Sequence, residues 1–290
     1  MPFLIVSVLC SVLVSVVLKL AYGRGIDVPQ IITWNYLAAL LLCLGLLDPP
    51  LAALHDPGTP IASLVLLALL LPGIFLAMAA SVRVAGIVRT DVAQRLSLMV
   101  SLAAAFLFFG ETADGLKLAG LGLGLLAIAG IVARDGGSGP ERASRSSRWL
   151  LPLTVLLGYA GVDILLKRIA MSGTPFAASL LFAFAGAFAV MCLWQLWRIA
   201  RRGVRPTLPA LSAGLLVGAS NFGNILFYVK AHRALPDNPA VVFATMNLGV
   251  VVLGTLVGTL GFGEKLGRLN KLGIALALVA VVLIAISRQG

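Results

Sequence analysis

Apolar runs of close to twenty residues, separated by short polar connections, fill most of the 290-residue chain. They occupy residues 3–22, 31–47, 61–82, 92–109, 116–132, 149–171, 176–197, 208–229, 239–262 and 272–286. A bilayer core about 30 Å thick takes roughly 20 apolar residues of helix, so the pattern predicts about ten transmembrane helices. The runs 31–47 and 92–109 are short for a span, which leaves counts of nine and eleven open. The first run has no basic segment before it and no small-residue cleavage pattern, so it reads as a retained helix rather than a removed signal peptide.

Composition agrees with that pattern. Hydrophobic residues make up 60% of the chain and charged ones 11%, against about 25% charged in soluble domains. The fold class expected is all-α integral membrane, in the inner or plasma membrane. The net charge of +11 sits mostly in the connections, where basic residues beside membrane helices meet anionic lipid headgroups. Membrane lipids are therefore the expected partner of that charge, and nucleic acid is not. Cys10, Cys43 and Cys192 each fall inside an apolar run without metal-ligand spacing, so neither a metal nor a disulfide framework is expected.

The longest polar stretch, 134–148, is rich in Gly, Ser and Pro and has five apolar runs on either side. Residues 1–133 and 149–290 thus read as two halves joined by a linker. Phe-Gly-Glu at 109–111 recurs at 262–264, an offset of 153 that also carries Leu116 onto Leu269 and Gly120 onto Gly273. Val-Val-Leu-Lys ending at Lys19 is similarly echoed by Ile-Leu-Leu-Lys ending at Lys167. An odd number of helices per half makes the second half enter the membrane from the opposite side, so the expected architecture is two inverted five-helix repeats.

The two Phe-Gly-Glu segments, each followed by a glycine-bearing helix (residues 118–126 and 271–279), resemble the drug/metabolite transporter superfamily, EamA type. In helix number and repeat spacing the likeness extends over nearly the whole chain. It departs from the usual pattern in lacking a Trp-Gly in the first run. The resemblance implies a transporter, not an enzyme, without cofactors, moving a small-molecule substrate; a homodimer is compatible with it.

Of the 22 basic residues, fifteen lie on the side reached after the odd-numbered runs, six on the other, and Arg95 inside the fourth run. The positive-inside rule then puts both termini outside the cytoplasm, whereas the resemblance implies both inside. The charge distribution is a property of this chain and is the orientation followed.

Ionisable groups at membrane depth cost about 2.5–3.5 kcal/mol each on insertion scales, so they face cavities or partners. Arg95, beside Gln94 and near Ser97 and Ser101, marks a polar face suited to a carboxylate or phosphate, unless it is held at the interface by Asp91 near the helix end. Asn221, Asn224 and Tyr228 share one stripe of the eighth run, where they either bind a metabolite or join helices. Asn35 and Asn247 are weaker candidates of the same kind. Asp163 and Lys167, four apart, form either a proton-coupling pair or a self-neutralising one. Gly120-x-x-x-Gly124 and Gly254-x-x-x-Gly258 read as helix-packing motifs, and Glu111 and Glu264 as caps or interhelical contacts.

The chain carries no nucleotide-binding loop, so a gradient would drive transport, and an amino acid or similar solute moved outward fits best. A lipid flippase or scramblase would use the same architecture. A membrane enzyme on lipid-linked substrates is disfavoured, because His55 and His232 are far apart and lack an acidic companion motif.

Overall fold

In hydrocarbon every backbone N–H and C=O needs an internal partner, and helices meet that demand within one segment. The computed structural model describes residues 2–109, 115–132, 147–235 and 239–287. Among these lie ten α-helices and no strand. They are α1 (Pro2–Gly23), α2 (Val28–Leu47), α3 (Ile61–Val84), α4 (Ile87–Phe109), α5 (Gly115–Val132), α6 (Ser147–Met171), α7 (Phe176–Arg202), α8 (Leu208–Ala234), α9 (Pro239–Leu256) and α10 (Arg268–Ser287). Six segments, in α1, α2, α3, α6, α7 and α8, are long and apolar enough to cross a membrane, and Leu118–Ala127 in α5 and Thr245–Gly261 around α9 are shorter apolar stretches. Glu111 and residues 134–146 of the expected linker lie outside the described residues.

The helix bounds depart from the apolar runs where polar residues find partners. α4 starts at Ile87 instead of 92, so Asp91 is not at a helix end: it lies in the second turn and is 3% exposed. α7 and α8 run on to Arg202 and Ala234, ending in the basic residues Arg201 and Arg202 and His232 and Arg233, with the arginine cations favoured at a helix C-terminus. α6 begins at Ser147, inside the stretch read as linker. α9 stops at Leu256, and a π-helical turn, Val257–Gly261, takes the place of its expected end.

α2 packs on α7 and α8, α1 on α8 and α9, α3 on α6 and α7, α4 on α6 and α9, and α5 along α10. Close approach depends on glycine: a Cβ at Gly218 of α8 would stand 2.5 Å from the Asn35 carbonyl oxygen of α2. Buried Tyr36, Phe184 and Phe222 fill the core between α2, α7 and α8. Large apolar side chains such as Ile5, Leu41, Leu66, Leu196 and Leu216 stay exposed, the surface a lipid solvent calls for.

Candidate functional site

The bundle has two ends: one with the start of α7 and the end of α8, which meet at the cavity, the other with the end of α1 and the start of α4, which meet at Glu264. From the first end a cavity of about 830 Å³ runs inward between α4, α6, α8 and α9. Its walls are mostly apolar, with Gln94, Arg95, Tyr159, Asp163, Asn224, Tyr228 and Asn247 among the polar groups. Phe176 and Arg233, both exposed, stand at its mouth.

Arg95 is oriented by α1: its Nη2 donates to Ser11 Oγ at 2.6 Å, while Nε is buried without a partner. Ser97, two residues on, donates to the Gln94 carbonyl at 2.7 Å and to Asp163 Oδ2 at 3.2 Å, tying α4 to α6 across the cavity wall. Asn224 Oδ1 accepts from Ser7 of α1 at 2.9 Å, and Asn247 Nδ2 donates to the Phe243 carbonyl at 2.9 Å. Tyr228 meets His232 edge-on at 4.7 Å between ring centres. A guanidinium, a carboxylate, amides and aromatic rings thus surround one void large enough for a metabolite.

Of the residues singled out by sequence, Arg95, Gln94, Asp163, Asn224, Tyr228 and Asn247 line this cavity. Lys167, half-buried, lies one turn beyond Asp163 on α6. Asn35 and Asn221 stand apart from the lining: Asn221 Nδ2 donates to Asn35 Oδ1 at 3.3 Å, joining α8 to α2. Tyr159 and the serines of α1 were not singled out. Ser7, Ser11, Ser15 and Lys19 recur every four residues in an otherwise apolar helix, and that strict spacing is the signal that could have found them. Their partners are Asn224, Arg95, Asp91 and Glu264 respectively.

The opposite end is closed by Glu264. The π-helical turn and Gly263, at φ 63°, turn the chain back on itself, and the Glu264 N–H donates to the Gly258 carbonyl at 2.9 Å. The carboxylate then accepts from the Ile87 N–H at 2.7 Å and the Val88 N–H at 3.1 Å, and pairs with Lys19 at 2.5 Å. It caps α4 from a different part of the chain, at the helix end where a negative charge is favoured. Gly86 must be glycine twice over: its φ is 94°, and a Cβ would lie 2.6 Å from Glu264 Oε2. Gly258 packs against Val88 and Glu264 and Gly254 against Asp91, so the second Gly-x-x-x-Gly face seats this contact.

A second tie lies at the same end. Asp27 caps α2 through the Gln30 N–H at 3.0 Å and binds Arg198 of α7 with both oxygens, at 2.8 and 2.6 Å. Burial raises the Asp27 carboxyl, but the Arg198 hydrogen bonds, the Gln30 N–H and the guanidinium charge outweigh it and hold the group below the ordinary carboxylate range. Gln30 extends the tie, donating to the Arg205 carbonyl and accepting from the Thr207 N–H, each at 3.0 Å.

A cavity of apolar walls set with a few polar groups, open at one end of a helical bundle and sealed at the other, is accompanied by a match of residues 1–133 to the EamA-like transporter family. The chain belongs to that family, within the drug/metabolite transporter superfamily. It is accordingly a multi-pass membrane transporter of that superfamily. This EamA-like chain is 39% identical over 285 residues to an uncharacterized protein of Haemophilus influenzae, covering 96% of itself and 95% of the relative. A protein of known crystal structure, 18% identical, superposes with a TM-score of 0.60 over 99% of both chains, which speaks to fold alone. Among the described residues, no group of three or more His, Cys, Asp or Glu is placed to hold a metal ion.

Proposed function

We propose that the chain is a secondary transporter that exports a small polar metabolite, such as an amino acid, by alternating access between two inverted five-helix halves, 1–133 and 149–290. The observation that carries this reading is the cavity of about 830 Å³ around Arg95 and Asp163, closed at its far end by Glu264. All ten helices serve as spans. The packing supports related halves: α1 lies on α8 as α6 lies on α3, and α4 on α6 as α9 on α1.

Arg95 binds the solute carboxylate, with Asn224, Tyr228, Gln94 and Asn247 orienting the remainder. Asp163, with Lys167 one turn away, is the carboxylate the cavity reaches first and takes up the coupling proton. Asn35 and Asn221 hold α2 to α8. On the charge distribution the cavity mouth faces away from the cytoplasm, so the structure corresponds to the releasing state of an exporter.

A vesicle screen of amino acids and related metabolites tests this, comparing the purified protein with Arg95→Ala and Asn224→Ala. Transport of an anionic or zwitterionic solute should fall at least about tenfold in Arg95→Ala, with membrane insertion intact. Equal transport by all three proteins would remove the cavity from the mechanism. No solute transport, but movement of a labelled phospholipid between leaflets, would instead support a lipid flippase or scramblase.

A further inference from the structure

Asp91 has no part in solute binding, yet it is a buried carboxylate between the cavity and the closed end. It lies one turn of α4 from Arg95 and one turn from the Ile87 and Val88 N–H groups that hold Glu264. Oδ1 accepts from Ser15 of α1 at 2.7 Å. Oδ2 is buried with no partner and faces Gly254 of α9, where a Cβ would come within 2.7 Å of it. A carboxylate with one oxygen unbonded at membrane depth is costly, and the cost falls when that oxygen takes a proton.

The ionisable groups around Asp91 come from each neighbouring element. Arg95 lies one turn along its own helix, Glu264 on the segment after α9 and Tyr159 on α6. Lys19, one turn from Ser15 on α1, is engaged with Glu264. Charge on Asp91 therefore acts on the residue that closes this end: the Glu264 carboxylate sits at the N-terminus of α4 and Asp91 one turn further in, with Lys19 neutralising Glu264.

We infer that Asp91 is a proton-binding site that sets the Glu264 closure, an inference that rests on the alternating-access reading. With Oδ2 protonated, Glu264 stays seated on α4 and Lys19, and the end remains shut. When the Oδ2–H proton leaves to water, the Asp91 carboxylate repels Glu264 and the end opens. Asp163 exchanges protons with the cavity, whereas Asp91 converts protonation into movement.

The test uses the full chain in lipid nanodiscs, with Cys10, Cys43 and Cys192 replaced by Ala. Spin labels at Arg24→Cys and Arg268→Cys, both exposed at the closed end, report their separation by pulsed electron resonance between pH 5 and pH 9. A longer distance should gain population as pH rises. Asp91→Asn, nearly isosteric, should hold the short distance at every pH, while Asp163→Asn keeps the pH response. Ser15→Ala, which removes the hydroxyl that donates to Asp91 Oδ1, should displace the midpoint by about one pH unit. An Asp91→Asn response that tracks the parent, or a parent response driven by sodium instead of protons, overturns the inference. Glu264→Gln separates the two levels. If it lengthens the distance while Asp91→Asn tracks the parent, alternating access stands and the Asp91 site falls; if neither it nor the parent lengthens at any pH, alternating access falls as well.

Discussion

The two ends of the bundle use the same chemistry to opposite effect. At the closed end, carboxylates, cations and backbone N–H groups are drawn together: Glu264 meets Lys19 and the start of α4, and Asp27 grips Arg198. At the cavity end, Arg95, Asp163, Asn224 and Tyr228 are spread around a void. A satisfied charge network joins helices, whereas Arg95 Nε, buried without a partner on the cavity wall, keeps bonding capacity for a guest. The difference lies in spacing and in glycine: Gly86, Gly254 and Gly258 let α4 and the Glu264 segment touch, and no such approach fills the cavity.

The strongest way to break the contrast is Glu264→Gln. It leaves Lys19 without its partner and turns an acceptor into an amide facing the Ile87 and Val88 donors. The closed arrangement should lose about 3 kcal/mol, seen as a lower midpoint of thermal unfolding of the purified protein. An unchanged midpoint would mean that the carboxylate does not hold this end.

Asp27→Asn should cost about 2 kcal/mol, because Arg198 is mostly buried and loses a two-oxygen partner. Its pH dependence has a definite sign. The Asp27 carboxyl is lowered on folding, so its contribution is complete above the ordinary carboxylate range and fades as pH falls through the lower native value. Melting curves from neutral pH into acid should show that loss in the parent and not in the variant.

The smallest effect sharpens the comparison instead of breaking it. Asn221→Ala removes the amide that reaches Asn35, whose own Nδ2 already lacks a partner, so stability should drop by about 1 kcal/mol. Transport should persist in Asn221→Ala and fail in Asn224→Ala, one helical turn away. Equal loss in both would extend the binding surface from the cavity to the α2–α8 contact.

Much of the cavity is legible in the sequence, because membrane depth makes polar residues conspicuous. Arg95, Asp163 and Asn224 stood out against apolar neighbours, and all three reach the cavity. Asn221 shared a helical stripe with Asn224 and Tyr228, but α8 presents that stripe partly to α2 and partly to the cavity, a division the i, i+3 spacing does not encode. Asp91 read as a helix-end residue because the apolar run begins after it. The helix extends back to Ile87 because Glu264 supplies a cap from 177 positions away.

Composition and periodicity by themselves determined a helical membrane protein, since a chain that is 60% hydrophobic with runs near twenty residues has no other way to satisfy its backbone in lipid. The repeated Phe-Gly-Glu marked Glu264 as a cap or interhelical contact. Which helix it caps, which cation it pairs with and which end of the bundle it shuts were decided only by tertiary structure. Those contacts join α1, the start of α4 and the turn after α9, and local sequence carries no measure of distance between segments so far apart along the chain.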